Sequence, residues 1–344
     1  MTQVATLPEP LAAVAPPRGR SGAVAWGVWL ARRLGLAVLT LWLVSILVFV
    51  ATAALGDPIR AILGRDYKAS PARVATLSEQ LNLDQPLVGR YFSWLGGLLT
   101  GDPGTSIASQ QPVGQLISDN VLNSLVLVLL AAVVMVPVAF GVAMLSANFR
   151  RRKGDTVIQS VLLTLAGMPE FVIGILLVAI FSTSVFHWLP AVTINALGGH
   201  PWDTPKTMVL PVATLVLAVA PYVSRILRST LLEVLDSDYV ELARLKGIPE
   251  TVVMRKHALL NAVVPGIQVV ALQLAWLAGG VVIVESTFSY PGIGLQLVDS
   301  VRNHDVPMVQ ALSMIIAGVY VAVNLVADLL SILLTPRART AISS

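Results

Sequence analysis

Glu170, Glu285 and Asp328 are the residues most able to do chemistry, because each stands inside or at the edge of a long apolar run. Carboxylates so placed bind or relay ions, or they brace the ends of a helix bundle. Glu170, next to Pro169 near the middle of its run, carries a cost of about 3 kcal/mol on insertion scales. It requires a partner, a water-filled cavity or a kink in its helix. Glu285 and Asp328 lie nearer to run ends, where bracing at the interface is the better reading.

Other chemistries lack their residues. Cysteine is absent, and the four histidines, at 187, 200, 257 and 304, have no helical i, i+4 partner, so no metal site is expected. A phosphate-binding GxxxxGK[ST] loop is missing. Of five lysines only Lys206 precedes Ser or Thr, and Pro205 before it has no N–H to offer. Gly292-Ile293-Gly294 lacks the third glycine of a dinucleotide fingerprint and reads as a turn outside the membrane. There is no GxSxG, no HExxH and no paired carboxylate motif within an apolar run, which argues against an intramembrane enzyme.

A different set of residues is organised for mechanics. Asp238 is placed to cap a helix with Glu241 three residues on, and Gly247 followed by Pro249 signals its end. The result is a two-turn helix. Tyr239, Leu242 and Ala243 fall on one face at i, i+3, i+4 spacing, while Arg244 and Lys246 lie near the negative end of its dipole. A second helix is expected from Pro249 through Arg255, Lys256 and His257 toward Pro265.

The elements that must position these groups follow from composition. With 56% hydrophobic and only 12% charged residues and a mean hydropathy of +0.79, the natural solvent of the chain is a bilayer. A core about 30 Å thick needs roughly 20 apolar residues per helix. Six stretches qualify: 34–56, 121–145, 157–181, 207–223, 263–284 and 308–334. The fourth, short and carrying Pro211 and Pro221, either kinks or continues as helix past Ser224.

Charge orients them. Most of the 23 basic residues cluster at Arg18, Arg20, Arg32 and Arg33, at 150–153, between Arg225 and Lys256, and at Arg337 and Arg339. The positive-inside rule then places both termini and these clusters in the cytoplasm. The formal net charge of +4 is explained by this topology and needs no nucleic-acid partner. The expected organisation is a flexible cytoplasmic tail (1–28), a first span within 29–56, an outer loop subdomain (57–120) with a helix starting at Ser70-Pro71, a permease core (121–336) containing a cytoplasmic loop (224–262), and a short cytoplasmic tail (337–344).

That loop carries a recognisable pattern. Tyr239-Val240-Glu241-Leu242-Ala243-x3-Gly247, followed by His257-Ala258-Leu259-x-Asn261-Ala262-x2-Pro265, resembles the EAA loop of bacterial binding-protein-dependent ABC importer permeases. The resemblance covers nearly the whole chain after the tail and is closest to the first permease of the dipeptide and oligopeptide branch. It includes Arg32-Arg33-Leu34, Gly56-Asp57-Pro58, Leu83-Asp84-Gln85-Pro86-Leu87, Trp94-Leu95-Gly96-Gly97, Gln111-Pro112-Val113 and Trp188-Leu189-Pro190. Further along it includes Glu285-x2-Phe288-x-Tyr290-Pro291-Gly292-Ile293-Gly294 and Asn324-Leu325-Val326-x-Asp328. The chain departs at Leu242, where the family often has alanine.

The resemblance implies an all-helical permease half with six spans, of the type I ABC importer kind. It would pair with a homologous second permease, two ABC ATPase domains and an extracytoplasmic substrate-binding protein. ATP and Mg would be bound by the ATPase and no cofactor by this chain. Asp238, Tyr239, Glu241, Leu242, Ala243 and Gly247 would then form the coupling helix docked on the ATPase. The implied cargo is a dipeptide or oligopeptide, in a branch that also includes importers of nickel, glutathione and oligosaccharides.

Asn123, Ser124, Gln273 and Gly279 are candidates to line the pathway, since polar side chains in lipid face a cavity or glue neighbouring helices together. The competing class is an ion-coupled secondary transporter, for which mid-span ionisable groups are few and no inverted repeat of hydropathy is evident.

Overall fold

The structure is a computed structural model and describes residues 22–54, 71, 74–75, 78, 85–194, 199–249, 252–254 and 260–334. Apart from one isolated bridge between Thr105 and Pro112, the described residues are helical or irregular. Residues 1–21 and 337–344 of the two expected tails, Ser70, and residues 250–251 and 255–259 of the helix expected after Pro249 lie outside the described residues. Residues 22–28, read from the sequence as flexible tail, are instead helical, continuous with the apolar run that follows them.

Among the described residues, four helices are individually long and apolar enough to cross a bilayer: α1 (Gly22–Ala54), α3 (Val113–Asn148), α6 (Pro205–Leu235) and α10 (Val306–Leu334). Two further spans are broken. α4 (Lys153–Ala166) and α5 (Glu170–Val178) meet at 107°, with α5 continuing as a π-helical turn to Ser184. α8 (Leu260–Phe288) bends by 58° between Gly266–Leu274 and Gly279–Phe288. Six crossings result if each bent pair is one span, the number read from hydropathy. Shorter helices among the described residues include α2 (Leu87–Thr100), α7 (Asp238–Leu245) and α9 (Ile293–Arg302).

α6 is the central pole. Of its most apolar 18-residue window 72% is buried, against 28% or less in α1, α3 and α10, whose outer faces carry the lipid-compatible Leu and Val expected of a bundle surface. The two prolines that weaken its sequence signal do not end it, and the helix runs on past Ser224 to Leu235. Buried neighbours hold such a helix where an isolated one would break. The Thr193 hydroxyl, for example, lies 3.5 Å from the Thr207 carbonyl, the group that Pro211 leaves without its helical donor. Around this pole Leu127, Met135, Leu215, Leu227, Leu277 and Phe288 form one core with α3 and α8. A second core, Val113, Ile117, Ile293, Met308 and Leu312, gathers the starts of α3, α9 and α10.

These contacts define two ends. The Gln310 amide donates to the Thr52 hydroxyl at 2.8 Å, joining the end of α1 to the start of α10. Arg33 binds Asp328 through Nε at 2.6 Å and again through Nη2, joining the start of α1 to the far part of α10. Asp328 thus braces the bundle, as its place near a run end suggests. Arg32, Arg33, residues 150–153, Arg225, Arg228, Arg244 and Lys246 all fall at this second, basic end.

Candidate functional site

At the basic end α7 projects from the foot of α6. Its cap is Ser237, with Asp238 the first helical residue and no side chain closing the first turn. The capping box expected of Asp238 and Glu241 is therefore absent. The Ser237 hydroxyl instead donates back to the Val234 carbonyl, and the two acids contribute charge to the positive end of the helix dipole. The other terminus is as the glycine implies. Gly247 sits at φ 77°, its N–H donates to the Arg244 carbonyl at 2.9 Å, and the Ile248 N–H donates to the Ala243 carbonyl at 3.2 Å. This pair of bonds is a Schellman ending, which requires a left-handed residue at the glycine position.

The faces also differ in one residue from expectation. Ala243 turns inward with Val240, anchoring α7 against the core around α6, whereas Tyr239, Leu242 and Leu245 are exposed at 45%, 52% and 79%. The single inward turn of small residues leaves a three-residue apolar ridge facing away from the bundle. Arg244 fixes the angle of α7 by donating to the Leu235 carbonyl at 3.2 Å.

The ground under α7 is stiffened by a charge network that the sequence does not advertise. Arg150, just past α3, makes a bidentate pair with Asp236 at 2.6 and 2.7 Å. This pair holds the Asp236 carboxyl below its usual range, so the contact persists at neutral pH and is lost as pH falls through that lowered value. Asp155, buried in the first turn of α4, accepts from Ser146 at 2.6 Å and from Nε and Nη2 of Arg228. Gln159 completes it by donating to Ser146 at 2.8 Å. In the sequence these charges at run ends read as topology signals only, because their partners are 9 to 86 residues away in the chain.

The opposite end is organised around Glu285, which is fully buried near the end of α8. Its carboxylate accepts from Ser124 at 2.5 Å and from the Gly294 and Leu295 N–H groups at 2.6 and 3.3 Å. It thereby satisfies the first free donors of α9, as an anion at a helix start should. Asn123 donates to the Pro291 carbonyl at 2.8 Å, and Tyr290 donates to the Asn123 carbonyl at 2.8 Å. Asn123 and Ser124, offered above as pathway lining, are each only 4% exposed and fasten α3 to the α8–α9 corner. Polar side chains satisfied by neighbouring helices need no aqueous cavity. Gln273 is half-buried, and Gly279 is exposed with open space where a side chain would stand. Nearby, Asp305 receives the Ser106 hydroxyl and the Ile107 N–H, pinning the loop that precedes α3 to the start of α10.

Glu170 has the kink its position requires. It is the first residue of α5, directly after the break at Pro169, and a side chain on Gly280 of α8 would come within 3.4 Å of its Oε1.

A bundle of up to six apolar spans, with a short helix standing off one end, is the architecture of a multi-pass membrane protein. The chain matches the family described as "Binding-protein-dependent transport system inner membrane component" over residues 139–340, and the corresponding N-terminal family over 28–127. It is 37% identical over 311 residues to the glutathione transport system permease protein GsiC of Salmonella choleraesuis strain SC-B67, covering 90% of this chain and 98% of that one. The protein of the same name from Escherichia coli strain K12 is 35% identical over 309 residues, covering 90% and 97%. Among solved structures, an amino acid ABC transporter with histidines aligns with a TM-score of 0.45 at 20% identity, covering 66% of this chain and 94% of that one. The chain belongs to the family of inner-membrane permease components of binding-protein-dependent transport systems, and it is a permease subunit of an ABC importer.

Proposed function

We propose that the chain forms half of the pathway of an importer for short peptides, with glutathione, itself a tripeptide, as the leading individual cargo. It would pair with a homologous permease, take cargo from an extracytoplasmic binding protein, and be driven by two ABC ATPase domains, one of them docked on α7. The cargo reading is supported by the function named for the relatives, which the chain matches over almost their whole length. The driving reading is carried by one observation: α7 is closed by a left-handed glycine, tied to the foot of α6, and presents Tyr239, Leu242 and Leu245 outward. Exposed apolar ridges on short rigid helices are what a groove on another protein recognises.

In proteoliposomes holding the complete transporter, glutathione or a tripeptide should accumulate when ATP is inside and loaded binding protein outside. Accumulation driven by a proton gradient without ATP would instead make the chain a secondary transporter. Orientation is checked separately. The basic end should be cytoplasmic by its charge excess, so a cysteine introduced as Ser237→Cys in this cysteine-free chain should resist an impermeant maleimide in intact cells and react after permeabilisation. Labelling in intact cells would reverse the topology.

A further inference from the structure

Two membrane spans break at the same place. The turn at 167–169 separates α4 from α5 at 107°, and α8 bends by 58° in the four residues before Gly279. The breaks meet, because Glu170 at the start of α5 lies against Gly280 just past the bend of α8. The register is set by Gly174, where an added Cβ would stand 3.2 Å from Phe288 Cε2. Gly280 is eight residues from Phe288, so the carboxylate lies about 12 Å below the outer end of α8, near the middle of a core about 30 Å thick. Broken helices are tolerated at such depth only where they are enclosed by protein or line a wet cavity.

The groups at this crossing suit one kind of ligand. Glu170 makes no hydrogen bond or ion pair among the described residues, and it is only half-buried. Trp276 is 42% exposed and its ring flanks the same glycine, with Cζ3 3.3 Å from where a Gly280 Cβ would stand. Gly279 beside it is open. A carboxylate and an indole ring that both border one glycine can combine an ion pair with a cation–π contact, the two attractions that select a small organic cation. The geometry points to a station for an alkylammonium group at Glu170 and Trp276, receiving the protonated α-amino group of the cargo midway across the membrane. The identification of that amine with a peptide terminus rests on the cargo proposed above, whereas the cation station does not.

The wild-type complex tests the station directly. Dicyclohexylcarbodiimide should modify Glu170, located by the mass of its peptide, and n-butylammonium should slow this several-fold while n-butanol at the same concentration does not. Equal rates under the three conditions, or equal slowing by both, would overturn the station. A second arm reads transport. Glu170→Cys should lower glutathione or tripeptide uptake about tenfold, with recovery after a methanethiosulfonate that adds a carboxylate and none after one that adds an ammonium. Equal recovery with both reagents would show that bulk and not charge is needed, and failure of Glu170→Gln to assemble with the second permease would assign the carboxylate to a cation of that subunit. Either result removes the proposal. A wild-type complex that imports neither probe, yet shows butylammonium protection, would remove the cargo reading and leave the station standing.

Discussion

Gly294→Ala should leave little correctly folded protein in the membrane. A methyl group at this position would lie 2.4 Å from the Cα of Val282 and 2.8 Å from Oε2 of Glu285. The first neighbour is backbone of α8 and cannot rotate away, so either α8 or the start of α9 must move. That movement withdraws the Gly294 and Leu295 N–H groups from the buried carboxylate. Overpacking alone costs typically 1 to 3 kcal/mol, and a buried charge deprived of donors adds roughly as much again. About 3 kcal/mol or more in total changes the folded ratio by over a hundredfold. The yield of monodisperse protein in mild detergent should fall accordingly, while Gly279→Ala, which meets nothing within 4 Å, should leave yield near wild type. Equal yields for the two variants would contradict the packing described at the α8–α9 corner.

The contrast between those two glycines shows what is legible in the sequence and what is not. Hydropathy counts lipid-facing surface, so it finds six crossings. It is weakest on α6, because a buried pole needs no lipid-facing run and can keep Pro211 and Pro221 within a helix held by its neighbours. Gly247 is readable because its signal is local: a glycine followed by Ile248 and Pro249 after an amphipathic turn specifies a left-handed ending. Asp238 reads wrongly as the cap because Ser237, one residue earlier, offers the same chemistry, and a sequence cannot rank two adjacent capping residues. Glu285 looks like an interface charge, and only the fold reveals that α9 begins above it and that Ser124 of α3 closes the pocket. The kink that Glu170 needs is legible from Pro169 beside it. That the second broken span passes next to it lies in no local pattern, since Glu170 and Gly280 are far apart in the chain.

The second large effect concerns transmission through α7. Gly247 is held at φ 77° with no atom within 4 Å of where a Cβ would stand, so substitution there tests backbone conformation without a packing clash. A β-branched residue in the left-handed region costs about 1 to 2 kcal/mol. The cheapest response is to abandon the Schellman ending, which releases the Ile248 N–H from Ala243 and redirects the chain toward α8. Val240 and Ala243 remain buried, so insertion and assembly should survive. The ridge of Tyr239, Leu242 and Leu245 would lose its fixed angle to the brace formed by Arg150, Asp236, Asp155 and Arg228. Gly247→Asn is the matching control, because asparagine visits the left-handed region at small cost.

The measurement is ATP hydrolysis by the purified, reconstituted complex with empty and with cargo-loaded binding protein. The wild type and Gly247→Asn should show stimulation by the loaded protein, and Gly247→Val should lose most of it together with uptake, at normal complex yield. Full stimulation in Gly247→Val would mean that α7 is a connector and that the ATPase drives this permease through some other surface.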